Sequence, residues 1–317
     1  MTRYRRRSAA GFTLVEVMIA MMAGVIVLGA STSLVLGTMR SMRGTELRDG
    51  IDRRARFVGI ALQRDVQQTG IAIDSRPTFG TIGTYADTLV TLRVPFFWTG
   101  VGTDSSAADS YVRSALVPGA SGVGNCGAFC LEVTRPAGMA FQIAAGQLAY
   151  VELNSVRRLI RVTAVALPSA TLARITFANT ANILGHPAGV VGLDLRKVFT
   201  VRTLRVTAFY RDAAGRQLVR VDSTTTTGAP VPQVIATGVA NWQASLVFTN
   251  GVEADVADAD TPDGNPDNNY DDIARVHLWA TLEADRTDPR LNNGALLTRR
   301  YDWWLSPRNL MYERNKL

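Results

Sequence analysis

The sequence is poor in the residues that carry out chemistry. It holds two histidines, His186 and His277, and two cysteines, Cys126 and Cys130, among 317 residues. No His-x-Glu, Gly-x-Ser-x-Gly or glycine-rich phosphate loop occurs, so nucleophilic and phosphoryl-transfer chemistry lack their usual parts. Carboxylates are plentiful, but nothing in their spacing selects an acid–base pair, and the expectation is a non-enzyme. Internal repeats are absent, and no proline interrupts residues 12–69. An excess of one charge is missing from most of the chain. The net charge is +7, yet residues 1–11 contribute four arginines and no acid, which leaves +3 without them. Residues 70–317 hold 23 bases and 22 acids. That balance gives the body of the chain no bulk electrostatic argument for nucleic acid.

What the chain does have stands at its beginning. Arg3, Arg5, Arg6 and Arg7 precede Ser8-Ala9-Ala10-Gly11, and an apolar run from Phe12 to Leu36 follows with a single charge, Glu16. As a helix this run is about 37 Å long at ~1.5 Å per residue, and a bilayer core needs about 20 residues. The arginines then hold the N-terminus in the cytoplasm. A secretory signal peptide has a shorter apolar region, about 7–15 residues, with small residues after it. Here the small residues come first. A plain anchor leaves Glu16 without a reason, because an acid inside a spanning helix costs on the order of a few kcal/mol and takes a partner.

Gly11-Phe12-Thr13-Leu14-Val15-Glu16 resembles the class III signal of type IV pilins and type II secretion pseudopilins. The resemblance implies that prepilin peptidase cuts after Gly11 and that the new N-terminal Phe12 is methylated. It also implies that Glu16 serves assembly by pairing with the amino group of a neighbouring subunit. Many major pilins have a helix-kinking proline near the middle of this helix, where the present chain reads Gly29-Ala30-Ser31-Thr32-Ser33.

Beyond Leu36, Ile51, Ala55, Val58, Leu62 and Val66 recur at helical spacing and make one apolar face. Arg48, Asp49, Asp52, Arg53, Arg56, Arg64, Gln67 and Gln68 make the opposite one. Gly44, Gly50 and Gly59 each cost about 1 kcal/mol of intrinsic helix stability relative to alanine, so the apolar face must pack to stay helical. Thr69-Gly70 is the expected stop. The phrase Ala61 to Gly70, ALQRDVQQTG, is similar to the helix end of PilW-like minor pilins and of minor pseudopilin J, and the chain length is closer to the PilW-like side.

From residue 71 strands and turns are expected. The strand-like stretches are Asp87–Val94, Phe129–Val133, Gln147–Leu153, Val156–Val165, Thr171–Phe177, Trp242–Phe248, Ile273–Leu282 and Leu296–Leu305. Leu204–Tyr210 and Gln217–Val221 form a hairpin around Asp212 and Gly215. Residues 100–124 read as a long surface excursion, and residues 224–232 as a Thr/Pro loop. Arg157, Arg158 and Arg161 form a local basic spot, read as a solvated strand face in preference to a DNA track.

Two further features carry ligand character. Cys126 and Cys130 in an exported domain are expected to form a local disulfide; the alternatives are a free pair, or a metal site that needs two more ligands. Eight acids and no Lys or Arg lie between Glu253 and Asp272. Asp258, Asp260, Asp263, Asp267 and Asp271 come close to a calcium loop, which wants six to eight oxygens and a tight glycine turn. The spacing misses the EF-hand by one residue at Pro262, and a solvated acidic loop is the competing reading.

The expected fold is α+β. It has a leader (1–11), a transmembrane and assembly helix (12–36), an amphipathic helix (37–70) and an exported, mainly antiparallel β domain (71–317) on which the helix packs. The resemblance implies a minor pilin that primes a type IV pilus at its tip, after passing through the inner membrane to the cell surface. Its implied partners are prepilin peptidase, other minor pilins, the major pilin and a large tip adhesin. The alternatives are a minor pseudopilin of a type II secretion system and, from another class, a tip adhesin or DNA-uptake module; a membrane-anchored enzyme ranks last. No cofactor is expected apart from the calcium reading.

Overall fold

The computed structural model describes residues 13–94, 110–112, 129–134, 141–189, 200–223, 231–258, 268–289 and 292–308, apart from 72, 74, 86, 142, 154, 155, 171, 180, 181 and 188. It has one long N-terminal helix followed by a mainly antiparallel β domain, as expected. Two compact units divide it: Met1–Asp52 with Ala284–Leu297, and Arg53–Glu283 with Thr298–Leu317.

Helix α1 runs from Leu14 to Gln67 as one element of 54 residues. Every described residue from Thr13 to Arg43 is exposed. Hydroxyls that would otherwise compete with the helix are absorbed by the preceding turn: Thr38 Oγ1 donates to the Leu34 carbonyl at 2.9 Å and Thr45 Oγ1 to the Ser41 carbonyl at 3.0 Å, with Thr32 to Leu28 in the same manner. At the other end the Thr69 amide donates to the Val66 carbonyl, and Gly70 turns out of the helix in the left-handed region with φ 77°. In the first unit, Arg286 reaches Glu46 at 2.8 Å on the surface and the Ala284 amide donates to the Leu297 carbonyl.

The second unit contains the rest of α1 and two sheets. The strands are β1 (Ile82–Tyr85), β2 (Thr88–Arg93), β3 (Ser110–Val112), β4 (Cys130–Thr134), β5 (Leu148–Leu153), β6 (Val156–Ser169), β7 (Leu172–Asn179), β8 (Thr200–Asp212), β9 (Gln217–Asp222), β10 (Val231–Thr237), β11 (Val239–Phe248), β12 (Glu253–Ala254), β13 (Ile273–Glu283) and β14 (Thr298–Leu305). A ten-stranded sheet has the order β1-β2-β8-β5-β6-β7-β4, with β3 and β9 also on β8 and β10 on β9; a four-stranded sheet has the order β12-β11-β13-β14. The 13-residue β8 is the shared strand, pairing with β5 and β3 along its first part and with β2 and β9 along its second.

Period-two alternation explains the small sheet. Trp242, Ala244, Leu246 and Phe248 of β11 and Val276, Leu278, Ala280 and Leu282 of β13 are buried, and the residues between them face outward. The indole of Trp242 donates to the Asp87 carbonyl at 2.7 Å, which ties β11 to the turn between β1 and β2. A second apolar cluster lies under β4 to β8, around Leu131, Ile160, Ile175 and Phe177. On α1, Ala55, Val58, Leu62 and Val66 are at most 3% exposed, the face that the periodicity predicts.

Three expectations need correction. Residues 100–124 are not wholly a surface excursion, because Ser110–Val112 pairs with Val201 and its neighbours as β3. Val231 and Pro232, assigned to a loop, open β10 on the edge, where a proline amide is not needed for the ladder. Arg157 is not part of a solvated basic face: it is 7% exposed, binds Glu152 at 3.0 Å and lies over the rings of Phe79 and Tyr150. Its charge is compensated inside the fold rather than offered outside.

Gly59 shows why a residue that weakens the helix is kept. A Cβ there would lie 2.8 Å from Trp303 Nε1 on β14, so the indole rests on the bare backbone. Gly59→Ala should therefore destabilise the domain by about 1–3 kcal/mol from overpacking, although alanine favours an isolated helix by about 1 kcal/mol. Denaturant unfolding checks this; a variant at or above wild-type stability would mean that the Trp303 indole moves aside without cost.

Candidate functional site

The head of α1 is a capping box. Thr13 is the N-cap, and its Oγ1 accepts from the Glu16 amide at 3.3 Å. In return the Thr13 amide donates to Glu16 Oε2 at 2.9 Å, and Thr13 Oγ1 donates to the same oxygen at 3.0 Å. Two amides that have no partner within the helix are thereby satisfied, and the acid sits where the helix dipole favours negative charge. Glu16 is thus aimed at the start of its own helix. Gly11 and Phe12 lie outside the described residues. Around and beyond Glu16, large apolar side chains surround the helix: Leu14, Met18, Met22, Val25, Ile26 and Leu34 are each at least 55% exposed. This is the one helix, among the described residues, long and apolar enough to cross a membrane.

Residues 6–32 match the prokaryotic N-terminal methylation motif. The chain thus carries a prepilin-type N-terminal motif. The match spans the Gly11-Phe12 junction, Glu16 and most of the apolar run, and such a motif implies processing by prepilin peptidase and assembly with other pilins. No curated protein and no solved structure matches the chain. The role of Thr13 escaped the sequence reading, although Thr-x-x-Glu before an apolar run is a recognisable signal.

A second constellation anchors the far end of the same helix. Asp65 is 4% exposed. Arg220 of β9 meets it at 2.6 Å, and Arg93 of β2 lies 3.8 Å away. Arg220 also reaches Asp222, which holds Arg205 at 3.2 Å. Burial pulls the Arg93 guanidinium below its ordinary range, against the pull of Asp65. Arg220 also loses water, yet its bonds to Asp65 and Asp222 raise it above its ordinary range. Strand arginines that look solvated in the sequence are here the sockets for a helix carboxylate.

The acidic stretch is described at its two ends. The Asp258 amide donates to the Asn268 carbonyl at 2.9 Å, and Asp271 and Asp272 lie in a short 3-10 turn, Tyr270–Asp272. Asp260, Asp263 and Asp267 lie outside the described residues. Among the described residues no three His, Cys, Asp or Glu side chains are grouped to hold a metal. Cys130 opens β4 and is buried, and among the described residues no cysteine is free; Cys126 lies outside them.

On the outer face of the small sheet, His277 sits between two carboxylates. Its Nδ1 is 2.7 Å from Glu253 Oε1 and its Nε2 is 3.2 Å from Asp302 Oδ1. Ser245 donates to Glu253, and Arg300 to Asp302 at 3.0 Å. The Ser245 bond, helped by His277, holds Glu253 below the usual carboxylate range; Arg300, again with His277, does the same for Asp302. A lowered folded pKa contributes stability above the unfolded value of about 4 and loses it as pH falls through the folded one. The melting temperature should therefore drop as pH is lowered from about 5 to about 2, and less steeply for Glu253→Gln with Asp302→Asn. Both groups are well exposed, so screening keeps the effect small. Parallel pH profiles for the two proteins would contradict the assignment.

Proposed function

We propose that this chain is a minor pilin of the PilW-like kind, a structural subunit that primes assembly of a type IV pilus and sits at its tip. The observation that carries the reading is the methylation motif at the head of a single helix, Leu14–Gln67, whose first part is apolar and exposed on all sides and whose last part is built into a β domain. Such a helix fits a subunit held in the inner membrane and then buried among like helices in a fibre, with its C-terminal domain exported. In this reading its partners are prepilin peptidase, the major pilin, other minor pilins and a tip adhesin, and the chain is not an enzyme. The fate of Arg157 weakens the DNA-uptake alternative, because the local basic spot loses a member to an internal ion pair.

Deletion of the gene, scored for surface pili and for protein secretion, tests the reading. Loss of pili with secretion intact supports it, and loss of secretion alone would assign the chain to a type II secretion pseudopilus. Processing gives a finer test. A large residue at Gly11 should leave the chain in the membrane with its arginine leader attached. Mass spectrometry of the wild-type chain should find Phe12 as its first residue; an intact Met1 in assembled fibres would refute the proposal.

A further inference from the structure

We propose that the outer face of the four-stranded sheet binds a neutral oligosaccharide, with Trp304 as the stacking platform. Trp304 lies flat on His277, with ring centroids 3.9 Å apart and planes 5° apart. One face of the indole is covered by that stack, yet the residue remains 52% exposed. The other face is therefore open to solvent. An open indole face on a fixed support offers a large, flat, amphipathic surface for a ligand to stack on.

The platform is held rigidly. Both nitrogens of His277 are engaged, by Glu253 and Asp302. The imidazole is thus fixed in its plane, and Trp304 is fixed upon it. Little side-chain entropy is left to lose when a ligand lands. Beside it, Trp279 is occupied on one face by the Arg300 guanidinium, 4.1 Å from the ring centroid. Trp304 stands near the end of β14, the last strand in the order of this sheet, and among the described residues no strand pairs with its second edge. A ligand can approach from the face and from the side.

The polar rim selects the class of ligand. Glu253 and Asp302 flank the stack and keep 43% and 40% of their side chains exposed. Arg300 on Asp302 and the exposed Arg275 balance the two carboxylates, so the face carries no excess of positive charge to draw nucleic acid or anionic lipid headgroups and suits a neutral ligand. Each carboxylate already has a donor inside the protein, Ser245 for Glu253 and Arg300 for Asp302. A cation is thus not needed to balance them, while their remaining lone pairs can accept hydroxyl protons. A pyranose offers what this surface lacks: an apolar C–H face for the open indole and equatorial hydroxyls for the carboxylates.

The test uses the full chain in a detergent without a sugar headgroup. Cellohexaose, chitohexaose and mannohexaose are titrated by calorimetry, with tryptophan fluorescence as a second readout. At least one should bind, Trp304→Ala should weaken it by about tenfold or more, and Trp304→Phe should largely preserve it. Asp302→Asn should also weaken it, and decides the matter if Trp304→Ala does not fold. Trp304→Ala should still be processed and join pilin partners normally, which separates this site from the subunit role. Wild-type protein that binds none of the three, or folded Trp304→Ala or Asp302→Asn that binds as wild type, overturns the proposal. Binding of a DNA oligonucleotide at this face in place of the sugars would overturn it as well.

Discussion

Glu16→Ala protein should enter the membrane and be cleaved normally, yet co-purify with its pilin partners at less than about a tenth of the wild-type yield, the loss expected when a buried charge loses its counterpart. In the isolated chain the Glu16 carboxylate is satisfied locally, by the amide and hydroxyl of Thr13. It is also fully exposed there, so the acid does little for the fold of a single subunit. Assembly changes its surroundings. Among other apolar helices the dielectric falls and attraction between opposite charges grows. The α-amine of a processed Phe12 is the nearest cation the chemistry provides, whether its own or a neighbour's. Removing the acid leaves that amine unpaired inside the bundle. Thr13→Ala separates the two roles of the site. It breaks the hydroxyl half of the capping box but keeps the acid, and its yield should stay much closer to wild type. Glu16→Ala recovered with its partners at wild-type level would reduce Glu16 to a helix cap.

Asp65→Ala should cost the domain about 3–5 kcal/mol, as breaking a buried pair does. For a unit of this size that corresponds to a fall in melting temperature on the order of 10 °C. The carboxylate is almost fully buried and serves two arginines from different strands. Without it, Arg93 and Arg220 face each other across the helix end with nothing between them but Asp222 to one side. Arg220→Ala should cost less, because it is the more exposed partner and Arg93 remains. The double variant should be less damaging than the two single losses added together, since each removes the reason for the other. Measured denaturant midpoints that simply add, or a loss under about 1 kcal/mol for Asp65→Ala, would show that the network behaves like a surface pair.

How much of this was legible in the chain differs by element. Ala55, Val58, Leu62 and Val66 repeat at helical spacing, so the buried face of α1 could be read directly. The β8–β9 hairpin was also legible, because Asp212 and Gly215 mark the turn between two alternating runs; Asp212 accepts from the amides of Ala214 and Gly215. β3 could not be read, since three residues amid Gly, Ser, Ala and Asp have no period, and only the partner strand β8 makes them extended. The ion pairs were hidden for a different reason. Arg93, Arg157 and Arg220 look alike in a sequence, and whether an arginine is solvated or bound depends on strands far away in the chain. Asp65 is 155 residues from Arg220. The His277 cluster, likewise, joins β12, β13 and β14 and exists only once the small sheet has formed.

The seating of Trp303 on Gly59 has a consequence for the order in which this molecule is made. Gly59 comes off the ribosome early, and Trp303, whose indole seats on it, follows roughly 240 residues later. At about 5–20 residues per second that gap lasts on the order of 10–50 s. For that time Gly59 lacks the indole that seats on it, and the long-range contacts that close the domain form slowly. An early-emerging helix with a late-arriving lid places a demand on whatever holds the chain in the interval. Truncation before β14 would therefore remove more than a strand: it would leave Gly59 permanently in the state that the chain otherwise passes through only during synthesis.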